Sequence, residues 1–118
     1  MQKIKHLSKA AHNEDFFNNF NLDDTRFRDW VVVALFYSLL HYYEAYFAIN
    51  NKHSKTHDIS DDWIANDDKI SATYLDYRDL KQERWNASYW SKIFSAKDIR
   101  DSILPKFNNI KSHLSRLF

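Results

Sequence analysis

The chain has 118 residues, with no glycine, no cysteine, one proline and a formal net charge of +1. That length suits one domain with a substantial core. The composition excludes disulfides, thiolate chemistry and both glycine-loop phosphate cradles, and the near-neutral charge argues against sequence-blind electrostatic binding to nucleic acid. Hairpin turns usually call for glycine, so an all-α fold over 1–118 is expected, with helices joined by short polar connections. A cysteine-free chain suits the cytoplasm. Aromatic residues make up 17% of the chain. Most belong in a core, with some tryptophans and tyrosines left for an interface.

Residues 3–20 read as an amphipathic helix, with Ile4, Leu7, Ala11 and the Phe16/Phe17/Phe20 cluster directed inward. His6, Lys9, His12 and Asn13 are expected on or near its wet side. A polar break follows at Asn18–Asp24, where Asp23 or Asp24 can cap the next helix by accepting from unpaired backbone N–H groups. Arg26 and Arg28 stand in that helix's first turn, where the dipole disfavours cations, and Asp24 or Asp29 are their nearest partners.

The stretch from Asp29 to Asn50 is the organising element. Apolar residues surround the whole helical wheel, which means burial inside a bundle or a membrane. Its length would span a bilayer, but His41 and Glu44 sit near the middle, at about 2.5–3.5 kcal/mol for a charge at that depth. The tyrosines Tyr37, Tyr42, Tyr43 and Tyr46 are also scattered rather than placed at the two ends. A core helix without a membrane is therefore expected. Ser38, His41 and Glu44 recur every three positions and form one polar seam along it.

After Asn50-Asn51 the polar connection carries His53 and His57. The acidic stretch 58–68 follows, and Ser60-Asp61-Asp62 reads as the start of a short helix with Trp63 and Ile64. An EF-hand is excluded, because its turn needs glycine. Residues 69–84 form the next helix, with Ile70, Tyr74, Tyr77, Leu80 and Arg84 in register. Trp85–Phe94 reads as an aromatic connection packed over the bundle end. Ser95–Asp98 resembles a capping box. It opens a last helix with Ile99, Ile103, Phe107, Ile110, Leu114 and Leu117 on one stripe, and Pro105 predicts a bend near Asp101–Ser102.

Several short motifs occur in a familiar order. They are Asp29-Trp30, Ala34–Tyr37, His41–Tyr46, His53-Ser54, Thr56-His57 and Tyr77–Leu80 ahead of an aromatic segment. Over roughly residues 28–89 this order resembles the small prokaryotic HEPN-like domains. The resemblance implies an antiparallel bundle of four to five helices, a homodimer, and a role in binding RNA or a nucleotide. It also implies a setting in toxin–antitoxin pairs or defence systems, with a nucleotidyltransferase-like protein as a possible partner. Ribonuclease members of that family carry an arginine with a histidine four to six residues later. No arginine here has one, Lys52 with His57 is the nearest approximation, and His57 is followed by Asp58-Ile59 rather than a tyrosine two positions on.

Three functional classes follow. The leading expectation is a binding module without strong catalysis or cofactor, engaging RNA, a nucleotide or a partner protein. Arg78, Arg84, Lys81, His53 and the rings of Trp85, Tyr89 and Trp90 form its candidate surface, since rings stack on bases while cations track phosphates. The same residues also suit a dimer interface or a helix-capping lid, with the arginines paired to Asp76, Asp79 or Glu83 on the same helix. The second class is a metal-independent ribonuclease in which His57 or His41 moves a proton and Lys52, Arg78 or Arg84 holds phosphate. The third is a bundle metalloprotein with His41, Glu44, His53 and His57 as ligands. Beside all of these, His41 and Glu44 can simply be a buried polar pair.

Overall fold

The fold is seen in a computed structural model that describes residues 2–118. The helices are α1 (Lys3–Asn18), α2 (Arg28–Ile49), α3 (His57–Asn66), α4 (Tyr74–Tyr89), a short α5 (Ala96–Asp98) and α6 (Leu104–Ser115). No strand occurs among the described residues. The long helices alternate in direction. On α1 and α2, His6 meets His41 and Ala10 meets Ser38, while on α2 and α4, Tyr37 meets Arg84 and Tyr43 meets Thr73. Asp79 of α4 reaches Lys106 of α6, and Lys111 of α6 returns to Glu14 of α1. The result is an up-and-down bundle of four long helices with α3 as an accessory.

α2 packs against α1, α4 and α6, which explains why its sequence is apolar on all sides. Val31, Val32, Leu35, Phe36, Leu39, Tyr43 and Phe47 are buried along it. Each large apolar side chain removed from water contributes about 1.5–3 kcal/mol before the entropy of ordering the chain is subtracted. By length and composition α2 could also cross a membrane, but 56% of its most apolar window is buried inside the bundle. That is the behaviour of a core helix.

The last stripe is as expected, with Ile99, Ile103, Phe107, Ile110 and Leu114 all buried. Ser95 and Asp98 form the capping box reciprocally, at 3.0 and 3.1 Å. The bend predicted at Asp101–Ser102 is a π-helical segment, Ile99–Ile103, joining α5 to α6. Pro105 has no N–H to offer the carbonyl four residues back and its ring would clash there. The wider π turn opens the backbone where that conflict falls.

Several expectations are corrected. α1 is rotated relative to the predicted face: His6, Ala10 and Phe17 are buried, whereas Ile4 is 74% exposed and Ala11 and Phe16 also face water. Neither Asp23 nor Asp24 caps α2, whose N-cap is Phe27 without a side-chain cap. Asp23 instead holds Arg100 by two hydrogen bonds, and Asp24 accepts from Asn21. Arg28 donates to the backbone carbonyls of Leu22 and Asp23 rather than to a neighbouring carboxylate. α3 begins three residues earlier than expected because the Thr56 hydroxyl accepts from the Ile59 N–H. α4 begins later, after a 3₁₀ turn at Ser71–Thr73, and runs through Trp85 to Tyr89. The first half of the expected aromatic connection is thus helix.

In a chain without glycine, left-handed turns fall to other residues. Asn51 adopts φ 55°, and its N–H and that of Lys52 bond back to the carbonyls of Ala48 and Phe47. This is a Schellman closure with asparagine in the position glycine usually fills. It reverses the chain sharply and sends His53 and Ser54 back beside the last turns of α2.

Candidate functional site

The polar seam of α2 faces α1, and three elements close over it. Ser38, fully buried, donates to the Ala10 carbonyl at 2.8 Å. One turn on, the Nδ1 atoms of His41 and His6 lie 3.0 Å apart, so one ring donates and the other accepts. Another turn on, Glu44 meets the returning chain. Its Oε1 accepts from Ser54, which in turn accepts from Ser60 of α3 at 2.7 Å. Its Oε2 lies 3.6 Å from Nδ1 of His53.

This cluster is under electrostatic tension. His6 is only 3% exposed. Burial, then the proximity of His41, lowers its pKa from the usual 6.5 to about 4. Burial also lowers His41, with Lys9 adding to the effect. Burial raises Glu44, opposed by the Ser54 hydrogen bond and by His53. Among the described residues, buried His6 Nε2 and Glu44 Oε2 have no hydrogen-bond partner. One donor atom from each of His6, Glu44 and His53 lies within 4.8 Å of the others. Unpartnered buried donors and acceptors each cost about 1–3 kcal/mol, so their convergence on one point calls for an explanation.

The expected set His41, Glu44, His53 and His57 does line one cavity, of about 220 Å³, together with Tyr37 and Ser54. His57 enters as the first, exposed residue of α3, while His53 lies in the connection ahead of it. The two histidines therefore do not share a helix face. The residue that the sequence reading placed elsewhere is His6. Its signal was weak but present: on α1 it stands four residues before Ala10, and a small residue there allows the close approach to Ser38.

Two of the three cations expected to hold phosphate, Lys52 and Arg78, lie away from this cavity. Lys52 lies over the Trp63 ring at 5.5 Å and lines a different pocket with Tyr46 and Asp67. Arg78 is exposed and faces Asp79 at 3.8 Å. Lys81 pairs with Asp61. Lys55 does line the cavity beside His41 and His57, and Arg84 reaches it through the hydroxyl of Tyr37 at 2.7 Å. Compared with protein-family models, curated proteins and solved structures, the chain matches none.

An exposed aromatic surface lies where α2 and α4 meet. Arg84 donates to the Tyr37 hydroxyl at 2.7 Å, and its guanidinium sits 5.5 and 5.8 Å from the Tyr37 and Tyr89 rings. Tyr89 packs on Trp85 with ring centroids 4.4 Å apart. Tyr37 in turn shares a groove of about 460 Å³ with Trp30 and Phe16. Trp85, Tyr89, Arg84, Tyr37 and Trp30 therefore form one continuous face, with Tyr89 60% exposed and Trp90, at the end of α4, 69% exposed.

Proposed function

We propose that the chain is a small HEPN-like accessory module that acts by binding rather than by catalysis, and that it pairs with a second copy of itself through the aromatic face of α2 and α4. The observation that carries this reading is the continuous exposed array of Trp30, Tyr37, Arg84, Tyr89 and Trp85. Tryptophan, tyrosine and arginine are the residues that dominate binding hot spots, and contiguous apolar patches of this kind mark interaction sites.

A second copy is favoured over RNA at this face by the state of its cations. Arg84 is engaged by two tyrosines, Lys92 by Glu83 and Lys81 by Asp61. A single-stranded nucleic acid needs a row of cations along its backbone as well as stacking rings, and here the neighbouring basic groups are already paired. A toxin–antitoxin or defence setting and a nucleotidyltransferase-like partner are what the family resemblance adds to this reading.

Light scattering or sedimentation tests it. At micromolar concentration the expected mass is that of two chains. The double variant Trp85→Ala, Tyr89→Ala is expected to dissociate about 30-fold more readily, the effect of losing about 2 kcal/mol of hot-spot energy, with helical content retained. A monomeric wild-type protein would overturn the pairing. Saturable binding of single-stranded RNA at physiological salt, lost in the same variant, would reassign the face to nucleic acid.

A further inference from the structure

We propose that His6, Glu44 and His53 form a binding site for a divalent transition-metal ion, with His41 and Ser54 as the groups that orient its ligands. Three observations converge on it. One donor atom from each of the three residues falls within 4.8 Å of the other two. Two of those side chains, His6 through Nε2 and Glu44 through Oε2, present buried atoms with no hydrogen-bond partner among the described residues. The three residues also come from three separate parts of the chain, α1, α2 and the connection after Asn51, so their meeting is a product of the fold rather than of one local motif.

The surrounding hydrogen bonds have the form a metal site requires. A ligating histidine almost always donates its other ring N–H to a neighbour, which fixes its tautomer and orientation. His6 is placed to do this: with Nε2 turned to the ion, Nδ1 carries the proton and donates to His41 Nδ1 at 3.0 Å. Glu44 is held in the same way. Ser54, itself held by Ser60, occupies Oε1 and leaves Oε2 for the ion.

Two imidazoles and one carboxylate suit zinc and its first-row neighbours rather than magnesium or calcium, which take oxygen ligands. Bonds of about 2.0–2.2 Å in a tetrahedral site place ligand atoms about 3.3–3.6 Å from one another. His53 Nδ1 and Glu44 Oε2 already lie 3.6 Å apart, and the His53 side chain is 58% exposed on the connection. Three protein ligands leave a fourth position for an exchangeable water. The site ties α1 to the core helix, and none of its three ligands belongs to the α2–α4 face, whose Tyr37 lines the neighbouring cavity.

The test uses full-length protein prepared without a histidine tag and stripped of metal by chelation. Elemental analysis after adding Zn²⁺ and dialysing is expected to show one equivalent per chain. Co²⁺ is expected to give the visible absorption of a low-symmetry nitrogen–oxygen site, displaced by Zn²⁺. Removal of a ligand in His53→Ala or Glu44→Gln is expected to weaken zinc binding more than the roughly 10- to 100-fold produced by losing an orienting group, the loss expected for His41→Ala. His12→Ala, on the exposed side of α1, is expected to bind as wild type does. Because His6→Ala opens a buried position, the decisive variant is the exposed His53→Ala, with circular dichroism of the metal-free protein as its folding control. Failure of wild-type protein to retain an equivalent of zinc, or equally tight binding by folded His53→Ala, would overturn the site.

Discussion

α2 carries polar and aromatic residues on one broad stripe whose two ends meet opposite fates. Toward its C-terminal end, Ser38, His41 and Glu44 are covered by α1 and by the chain returning from Asn51. Toward its N-terminal end, Trp30 and Tyr37 remain open, Tyr37 beside the end of α4. Residue chemistry alone would predict the reverse, with histidine and glutamate in water and tryptophan inside. The difference teaches that coverage is set by where the neighbouring helices lie. α1 is short of large apolar groups where it crosses the seam: His6 and Ala10 are the buried contacts there, and Ile4 is left in solvent. A polar seam is met by a polar and small surface, while Trp30, Trp85 and Tyr89 of the aromatic face stay open to solvent.

Breaking the seam should cost more than breaking the open face. His41→Ala is expected to destabilise the metal-free protein by about 1–3 kcal/mol, because it removes a partner from buried His6. Urea denaturation measures this, and a loss below about 0.5 kcal/mol would mean that the two rings do not depend on each other.

Acid should separate the regions next. In the unfolded chain a histidine takes up its proton near pH 6.5, whereas folded His6 resists it until about pH 4. As pH falls through that window the unfolded state binds more protons, so stability falls with it. Glu44 works in the opposite direction, since its raised pKa lets the folded state take a proton first. The cleanest measurement therefore uses metal-free Glu44→Gln, whose melting temperature is expected to drop from pH 6.5 towards 4. A flat profile would contradict the burial of His6.

The turn that feeds the seam offers a smaller effect of opposite sign. Asn51 holds φ 55°, a region that penalises a side chain and that glycine enters freely. Asn51→Gly is expected to stabilise the fold by up to about 1 kcal/mol, offset by the extra freedom of glycine in the unfolded chain. Loss of stability would mean that the asparagine side chain contributes something beyond the turn.

Smallest of all is the expected change in monomer stability on the open face. Arg84→Ala removes a contact to two partly exposed tyrosines, and thermal melting at low concentration should change by less than about 1 kcal/mol. Dimer dissociation should respond more strongly, and that contrast sharpens the comparison: one region contributes to folding, the other to association.

Much of the fold could be read from residue pattern alone. The absence of glycine and the apolar run 29–50 require helices around a central one, and the spacing of Ile99, Ile103, Phe107, Ile110 and Leu114 sets the inner face of the last. Ser95–Asp98 and Pro105 mark a cap and a bend through local backbone chemistry, which needs no distant partner. Helix starts were less legible, since Thr56 outcompeted Ser60 and Phe27 replaced the aspartates through contacts made elsewhere. The metal-ligand candidates His41, Glu44 and His53 stand out as polar residues near or within an apolar run. His6 does not, because rotation of α1 about its own axis is decided by what it packs against and not by its own periodicity. Only the tertiary structure brings that histidine to Glu44, since the two are joined by no motif and meet through antiparallel packing of α1 on α2 and the left-handed turn at Asn51.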